Sequence, residues 1–190
     1  MNQLLGSTEL DSAIKLGERT LEKYKNNRGK KYDNTLNSHV KGRLGEFALE
    51  KWLADHKIVA TSHFQDDGSE GLCDIEVPAA KVYKRVEIKT WSQEFWKDWG
   101  RCVAVTQIGK IQTTADAILW CRVNLPKVTS VEQLRSLGTV EVEFVGYSTP
   151  SDAAAAPIRA TGPFGRQVVN HQLEDTDLRP TEELLADLAS

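Results

Sequence analysis

Long apolar runs are missing from this 190-residue chain, and so is any cysteine framework. No stretch approaches the ~18 apolar residues of a membrane span, so no membrane partner is expected. The opening MNQLLGSTELDSAIK lacks a basic segment followed by a long apolar one, so no secretory leader is expected. Cys73, Cys102 and Cys121 form no CxxC pair. An odd count without zinc spacing fits a reducing compartment, and the expected location is cytoplasmic. A P-loop, a Rossmann glycine fingerprint, GxSxG and HExxH are all absent, so no nucleotide cofactor is expected. Asp66, Asp67 and Glu70 fit no EF-hand spacing and read as a solvated turn. The net charge of −3 excludes a uniformly basic DNA-coating protein, but not a local basic face.

What is present is ordinary for one globular domain: 40% hydrophobic and 27% charged residues, on a chain long enough to bury a core without staples. The charge is uneven. Residues 15–51 carry ten Lys/Arg against five Asp/Glu, and 81–110 carry seven against three, whereas 170–190 carry one against six. Two readings stand: wet helix faces, or a basic front with an acidic back.

Periodicity predicts a helix over about Glu9–Tyr24, a basic loop KNNRGKKYDN, and a helix over about Ser38–His56 with Ser38 as N-cap. Val40, Leu44, Phe47, Ala48 and Trp52 form the second helix's apolar face. FQDDGSEG reads as a loop. Strands are expected at Leu72–Val77, Val82–Thr90, Cys102–Thr106, Ala117–Val123 and Val140–Tyr147, and in RQVVNHQL after a TGPFG turn. Short helices are expected at Gln107–Thr114, near Val131–Leu137 and after Pro180. Trp91–Arg101 reads as an aromatic loop. The expected class is α/β or α+β with a mixed sheet.

The informative region is GLCDIEVPAAKVYKRVEIKTW, Gly71–Trp91. As a hairpin with Asp74 opposite Glu87, it sets Ile75 against Val86 and Glu76 against Arg85. Val77 and Ile88 share the apolar face, and Asp74, Glu76, Arg85, Glu87 and Lys89 share the other. Opposing Cβ atoms lie about 4.5–5.5 Å apart, so Asp74 and Glu87 can share one cation, with Lys89 two residues along. A hard divalent cation relieves the repulsion of two such carboxylates. A metal so held lowers the pKa of its water and stabilises charge on a phosphodiester, and a nearby lysine adds positive charge where hydroxide would attack.

Cys73–Asp74 followed by Val86-Glu87-Ile88-Lys89 resembles the PD-(D/E)xK signature of restriction-endonuclease-like nucleases, with Cys73 where the signature has proline. The resemblance covers about Ser38–Val123. It implies a mixed central sheet flanked by helices and a single nuclease domain over 1–190: an N-terminal helix and basic loop (1–37), a core (38–123) and a C-terminal extension (124–190). It also implies that Asp74, Glu87 and the carbonyl of Ile88 hold Mg²⁺, with Mn²⁺ as a substitute, and that Lys89 orients or activates the attacking water. These nucleases often carry an acid on the preceding helix, a position filled here by Glu46.

On the second helix, His39, Gly42, Glu46, Leu49 and Leu53 share a side at 100° per residue. Glu46 is then either a metal ligand, direct or through water, or a solvent-facing acid paired with Arg43. His39 is a phosphate contact or a plain surface residue. Gly42 and Gly45, costly in a helix, allow close packing or close approach of a nucleic-acid backbone. In the layout the resemblance implies, Gln107 and Lys110 face the active site; otherwise they are a helix cap and a wet lysine. Trp91, Phe95, Trp96 and Trp99 either stack on bases or cover a sheet edge or dimer contact. Asp116 reads as a strand-start residue.

The function implied is a Mg²⁺-dependent DNA endonuclease leaving a 5′-phosphate and a 3′-hydroxyl, first of restriction or phage-defence type, second a resolvase or repair nuclease. His39, Lys41, Arg43, Gln107 and Lys110, with the other basic residues between Lys23 and Arg43 and with Lys81, Lys84 and Arg101, would position phosphates. Double-strand cleavage implies a homodimer. Two other classes stand beside it: a catalytically inactive nuclease fold that binds DNA, and an interaction domain whose ExK is accidental.

Overall fold

The structure is a computed structural model that describes residues 1–25, 35–65, 72–126, 130–161 and 167–190. In chain order its elements begin with β1 (Asn2–Leu5), α1 (Ser7–Lys23), α2 (Leu36–Asp55), β2 (Thr61–Ser62), β3 (Ile75–Glu76) and β4 (Arg85–Ser92). Next come α3 (Gln93–Trp99), β5 (Cys102–Ala104), α4 (Val105–Thr114), β6 (Ala117–Val123), α5 (Val131–Arg135) and β7 (Val140–Ser148). The chain closes with α6 (Pro150–Ala155), β8 (Ile158–Thr161), β9 (Val168–Gln172) and α7 (Thr181–Leu188). The class is therefore α+β. Most of the loop 25–34, the acidic turn beyond Gln65 and the TGPFG turn beyond Thr161 lie outside the described residues.

The main sheet has the order β1-β7-β6-β4-β3-β2, and only β4 and β6 pair in parallel. Parallel neighbours need a long crossover, which here runs through α3, β5 and α4. Parallel strands are covered on both faces, and β6 reads accordingly as the apolar run AILWCRV. Ala117, Leu119, Cys121 and Val123 join one core, with α1, α2 and α7. Ile118 and Trp120 join the other, with Trp96 of α3, Val103 of β5, Ile108 and Ile111 of α4 and Ala153 of α6. β1 and β7 stand in the same sheet as β4 and β6, so the sheet draws on residues outside 38–123. A small antiparallel sheet, β5-β9-β8, caps the second core.

Three local expectations are corrected. Thr35, not Ser38, caps α2: the Thr35 hydroxyl accepts from Ser38 N–H at 3.2 Å, and Ser38 Oγ accepts from Thr35 N–H at 3.1 Å. The aromatic loop 91–101 is instead the end of β4 and then a helix. Trp96 and Arg101 are buried there, and Phe95 stacks on Trp99 one helical turn later. The first hairpin strand is reduced to Ile75 and Glu76. Asp116 does sit at a strand start, where it accepts from Arg85 N–H and pairs with the Arg85 guanidinium at 2.6 Å. Among the described residues no helix is long and apolar enough to cross a membrane.

α2 is pressed against β4 at Gly45. A Cβ there would overlap Thr90 Oγ1 and crowd the Ile88 side chain, whereas at Gly42 it would meet nothing within 4 Å. The two glycines thus have opposite expected responses. Gly45→Ala is expected to destabilise the fold by about 1–3 kcal/mol through overpacking. Gly42→Ala is expected to stabilise it by about 0.5–1 kcal/mol, since alanine loses less backbone entropy in a helix. Denaturant unfolding of both variants checks the pair; equal effects would refute the contact.

Candidate active site

The site begins where β3 ends. Eight-residue β4 is paired on that side only at Arg85 and Val86. Beyond them the edge is taken over by Asp74, the residue before β3. Its N–H donates to Val86 O at 3.2 Å, and its Oδ2 accepts from Ile88 N–H at 2.7 Å. The side chain thus replaces a missing ladder partner and is fixed at Ile88; the expected Asp74–Glu87 pair is not part of the ladder, which ends at Ile75–Val86. One residue's N–H and C=O leave a strand on the same side, so the Ile88 carbonyl faces this edge too.

Alternation along β4 divides the rest. Val86 and Ile88 are buried in the first core, and Glu87 and Lys89 face the other way. Lys89 Nζ donates to Glu87 Oε1 at 2.6 Å. The contact at Gly45 brings α2 so close that Glu46 reaches round the open edge of β4. Glu46 is 8% exposed, and its Oε2 accepts from Arg43 Nη1 at 2.7 Å. It is therefore paired with Arg43 but does not face solvent. Glu46, Asp74, Glu87 and Lys89 share one cleft of about 1060 Å³.

The electrostatics follow from this crowding. Desolvation raises Asp74 well above the usual carboxylate range, and the charges of Glu87 and Glu46 push it further. Desolvation also raises Glu46, to about 7, against the opposing pull of Arg43. For Lys89, desolvation works against the charge, but Glu87, Asp74 and Glu46 overcome it and hold the ammonium above its ordinary value. Burial lowers His39, with Arg43 acting in the same direction. Three carboxylates compressed in this way form a donor set that a hard divalent cation would relieve. Among the described residues no three His, Cys, Asp or Glu side chains converge into a ready-made metal cage. Arg43 and Lys89 already occupy two of the acids.

His39 and Arg43 of α2 and Gln107 and Lys110 of α4 line the same cleft, so helices from opposite sheet faces flank the bare edge. Lys41 does not line it: two residues from His39 and Arg43, it is turned away, with its ammonium 6.0 Å from the Trp91 ring centre. Lys81, Lys84 and Arg101 are also absent from the lining. Arg101 is buried, donating to the carbonyls of Leu173 and Trp96 and pairing with Asp175 at 3.1 Å. The covering role fits Trp96, which is buried and donates its indole N–H to Asp175 Oδ1. Lys23 of α1, the first of the basic residues expected to position phosphates, lines the cleft as well, and so does Arg19, which the sequence analysis did not single out. Their spacing of four residues, one helical turn, was the available signal.

Comparison with known protein families, with curated proteins and with solved structures gives no match.

The raised Glu46 pKa has a definite sign for stability. The folded state holds this proton more tightly, so the stabilisation is complete below about 4.5 and lost as pH rises through about 7. Asp74 acts in the same direction. In EDTA, the wild type is expected to lose stability relative to Glu46→Gln across that window, by on the order of 3 kcal/mol. Melting temperatures of both proteins measured from pH 4.5 to 7.5 check this; parallel curves would refute the buried-acid account.

Proposed function

We propose that this chain is a divalent-metal-dependent DNA endonuclease of the PD-(D/E)xK type. The observation that carries the reading is the shared cleft of Asp74, Glu87, Lys89 and Glu46, with basic and polar side chains along its walls. A phosphodiester is anionic, and its hydrolysis needs charge stabilisation and an aligned water, which this combination suits.

Asp74, Glu87 and the Ile88 carbonyl would hold the cation, with Glu46 as a further ligand. Mg²⁺ fits the oxygen-only donors, and Mn²⁺ would substitute. Bound there, the metal supplies Lewis acidity toward the phosphate and a more acidic water. The chain's own residues do the rest. Lys89, held by Glu87, orients the attacking water and keeps positive charge beside the forming bond. Arg43, His39, Gln107 and Lys110, with Arg19 and Lys23, seat the flanking phosphates. Water oxygen bonds to phosphorus as the bond to the 3′ oxygen breaks. The proton lost by the water leaves to solvent, the 3′ oxygen regains one, and the products are a 5′-phosphate and a 3′-hydroxyl.

A second reading, a nuclease-like fold that binds DNA without cutting it, is favoured by one observation. Glu87 and Glu46 are each occupied by a cation of the protein itself.

Supercoiled plasmid, linear duplex and branched DNA incubated with Mg²⁺, Mn²⁺ or EDTA separate the two. The nuclease reading expects metal-dependent cutting that falls about 100-fold or more in Asp74→Ala and in Lys89→Ala. Binding without cutting by the folded wild type supports the second reading. Neither binding nor cutting refutes both.

A further inference from the structure

Arg43 is placed to do two incompatible things. Its Nη1 is hydrogen-bonded to the buried carboxylate of Glu46 at 2.7 Å, and its Nη2 lies 3.5 Å from Thr20 Oγ1 on α1. The same guanidinium lines the open cleft with Arg19, Lys23 and Lys110, where an anionic ligand would be met. Glu46 has little access to water and, among the described residues, no other hydrogen-bond partner, so an inner-sphere cation at its Oε2 competes with Arg43 for that oxygen. Losing Arg43 with nothing in exchange would leave a partly buried guanidinium without its carboxylate, which is strongly unfavourable. A phosphate oxygen in the cleft offers that exchange, since guanidinium pairs equally well with carboxylate and phosphate.

The geometry points to Arg43 as a lock that makes the divalent cation and the phosphodiester bind cooperatively: closed on Glu46 in the free protein, open on a substrate phosphate when Glu46 ligates the metal. This rests on the proposed metal-dependent reading and adds to it a coupling between the metal and the substrate phosphate. Lys89 does not serve the same purpose. It is two residues from Glu87 on the same strand and face, and remains beside the site whichever oxygen it contacts. Arg43 stands one helical turn from Glu46 on α2, with a long side chain that can swing between the floor and the rim.

Linkage makes the idea measurable: if a duplex tightens metal binding by some factor, the metal tightens duplex binding by the same factor. Mn²⁺ binding to the full chain is followed by electron paramagnetic resonance and calorimetry. Each is run with and without a short duplex of phosphorothioate backbone, which resists turnover. Wild type is expected to bind Mn²⁺ about tenfold or more tighter with the duplex present. Arg43→Gln is expected to tighten Mn²⁺ binding in the absence of duplex by about tenfold, and to bring the coupling factor close to one. Arg43→Lys, which keeps the charge but not the fork, is expected to lie between them, and circular dichroism melts establish that both variants fold.

Unchanged or weaker Mn²⁺ binding by folded Arg43→Gln without duplex overturns the lock. So does a coupling factor in that variant equal to the wild type's. Mn²⁺ binding that is abolished by Asp74→Asn but indifferent to duplex overturns the lock and leaves the metal site standing. No Mn²⁺ binding to wild type under either condition overturns both.

Discussion

The hydrogen bond from Ile88 N–H to Asp74 Oδ2 is the interaction on which the rest of the site depends. A strand paired along its whole length would spend its edge on a neighbour's backbone. Here β3 stops after two residues, and a carboxylate satisfies the next donor of β4. The edge beyond is then closed to another strand and open to side chains from both sheet faces. The same bond fixes where the acid points, because one of its oxygens is committed to the backbone of β4. An asparagine would preserve part of the shape but not the field, and alanine would leave the Ile88 N–H without its partner.

Such clustering is tolerable only because positive charge accompanies it. Asp74, Glu87 and Glu46 together would be strongly unfavourable at low dielectric; burial is the main cause of the upward shifts of Asp74 and Glu46, and the neighbouring acids add to it. Lys89 and Arg43 offset it in the free protein. The acidic elements of the C-terminus serve elsewhere: Asp187 accepts from the backbone of Val82 and Tyr83, and Asp175 holds Trp96 and Arg101. The uneven charge along the chain is thus neither mere wet surface nor a simple front and back, since these acids brace loops while part of the N-terminal basic set reaches the cleft.

Much of this was legible where local pattern and tertiary demand agree. The apolar run Ala117–Val123 marked the central strand to the residue, and the alternation of Ile75, Val77, Val86 and Ile88 fixed a hairpin register that the structure keeps at Ile75–Val86 and Glu76–Arg85. Glu46 was singled out by the resemblance, as the acid on the preceding helix, and periodicity set it on a side with His39, Gly42, Leu49 and Leu53, apart from the apolar face. α2 is buried nearly all round its second half, Leu49 and Leu53 included, so periodicity there assigns no outer face. What failed was set by distant partners. β1 is a strand because β7 pairs with it, and β8 because β9 does; neither four-residue segment announces itself. Trp91–Arg101 read as an aromatic loop, whereas Gln93–Trp99 is a helix and Trp96 is a core residue of the second layer. Lys41 was drawn in with His39 and Arg43, yet two residues along a helix turn a side chain by about 200°.

α2 concentrates these demands in one element. Gly45 sets its distance from β4, Glu46 enters the floor of the cleft, and Arg43 and His39 line its wall. Packing and charge are therefore not separable there. A displacement of the helix away from Ile88 and Thr90 would move an acid of the floor and a base of the wall together, and in the same direction. Close-packed interiors have few intermediate arrangements, so such a helix is held in one position rather than sliding among many. What remains adjustable is the reach of its longest side chain. Arg43 can exchange partners without any backbone movement, which is why the adaptable part of the cleft is its positive charge and not its acidic floor.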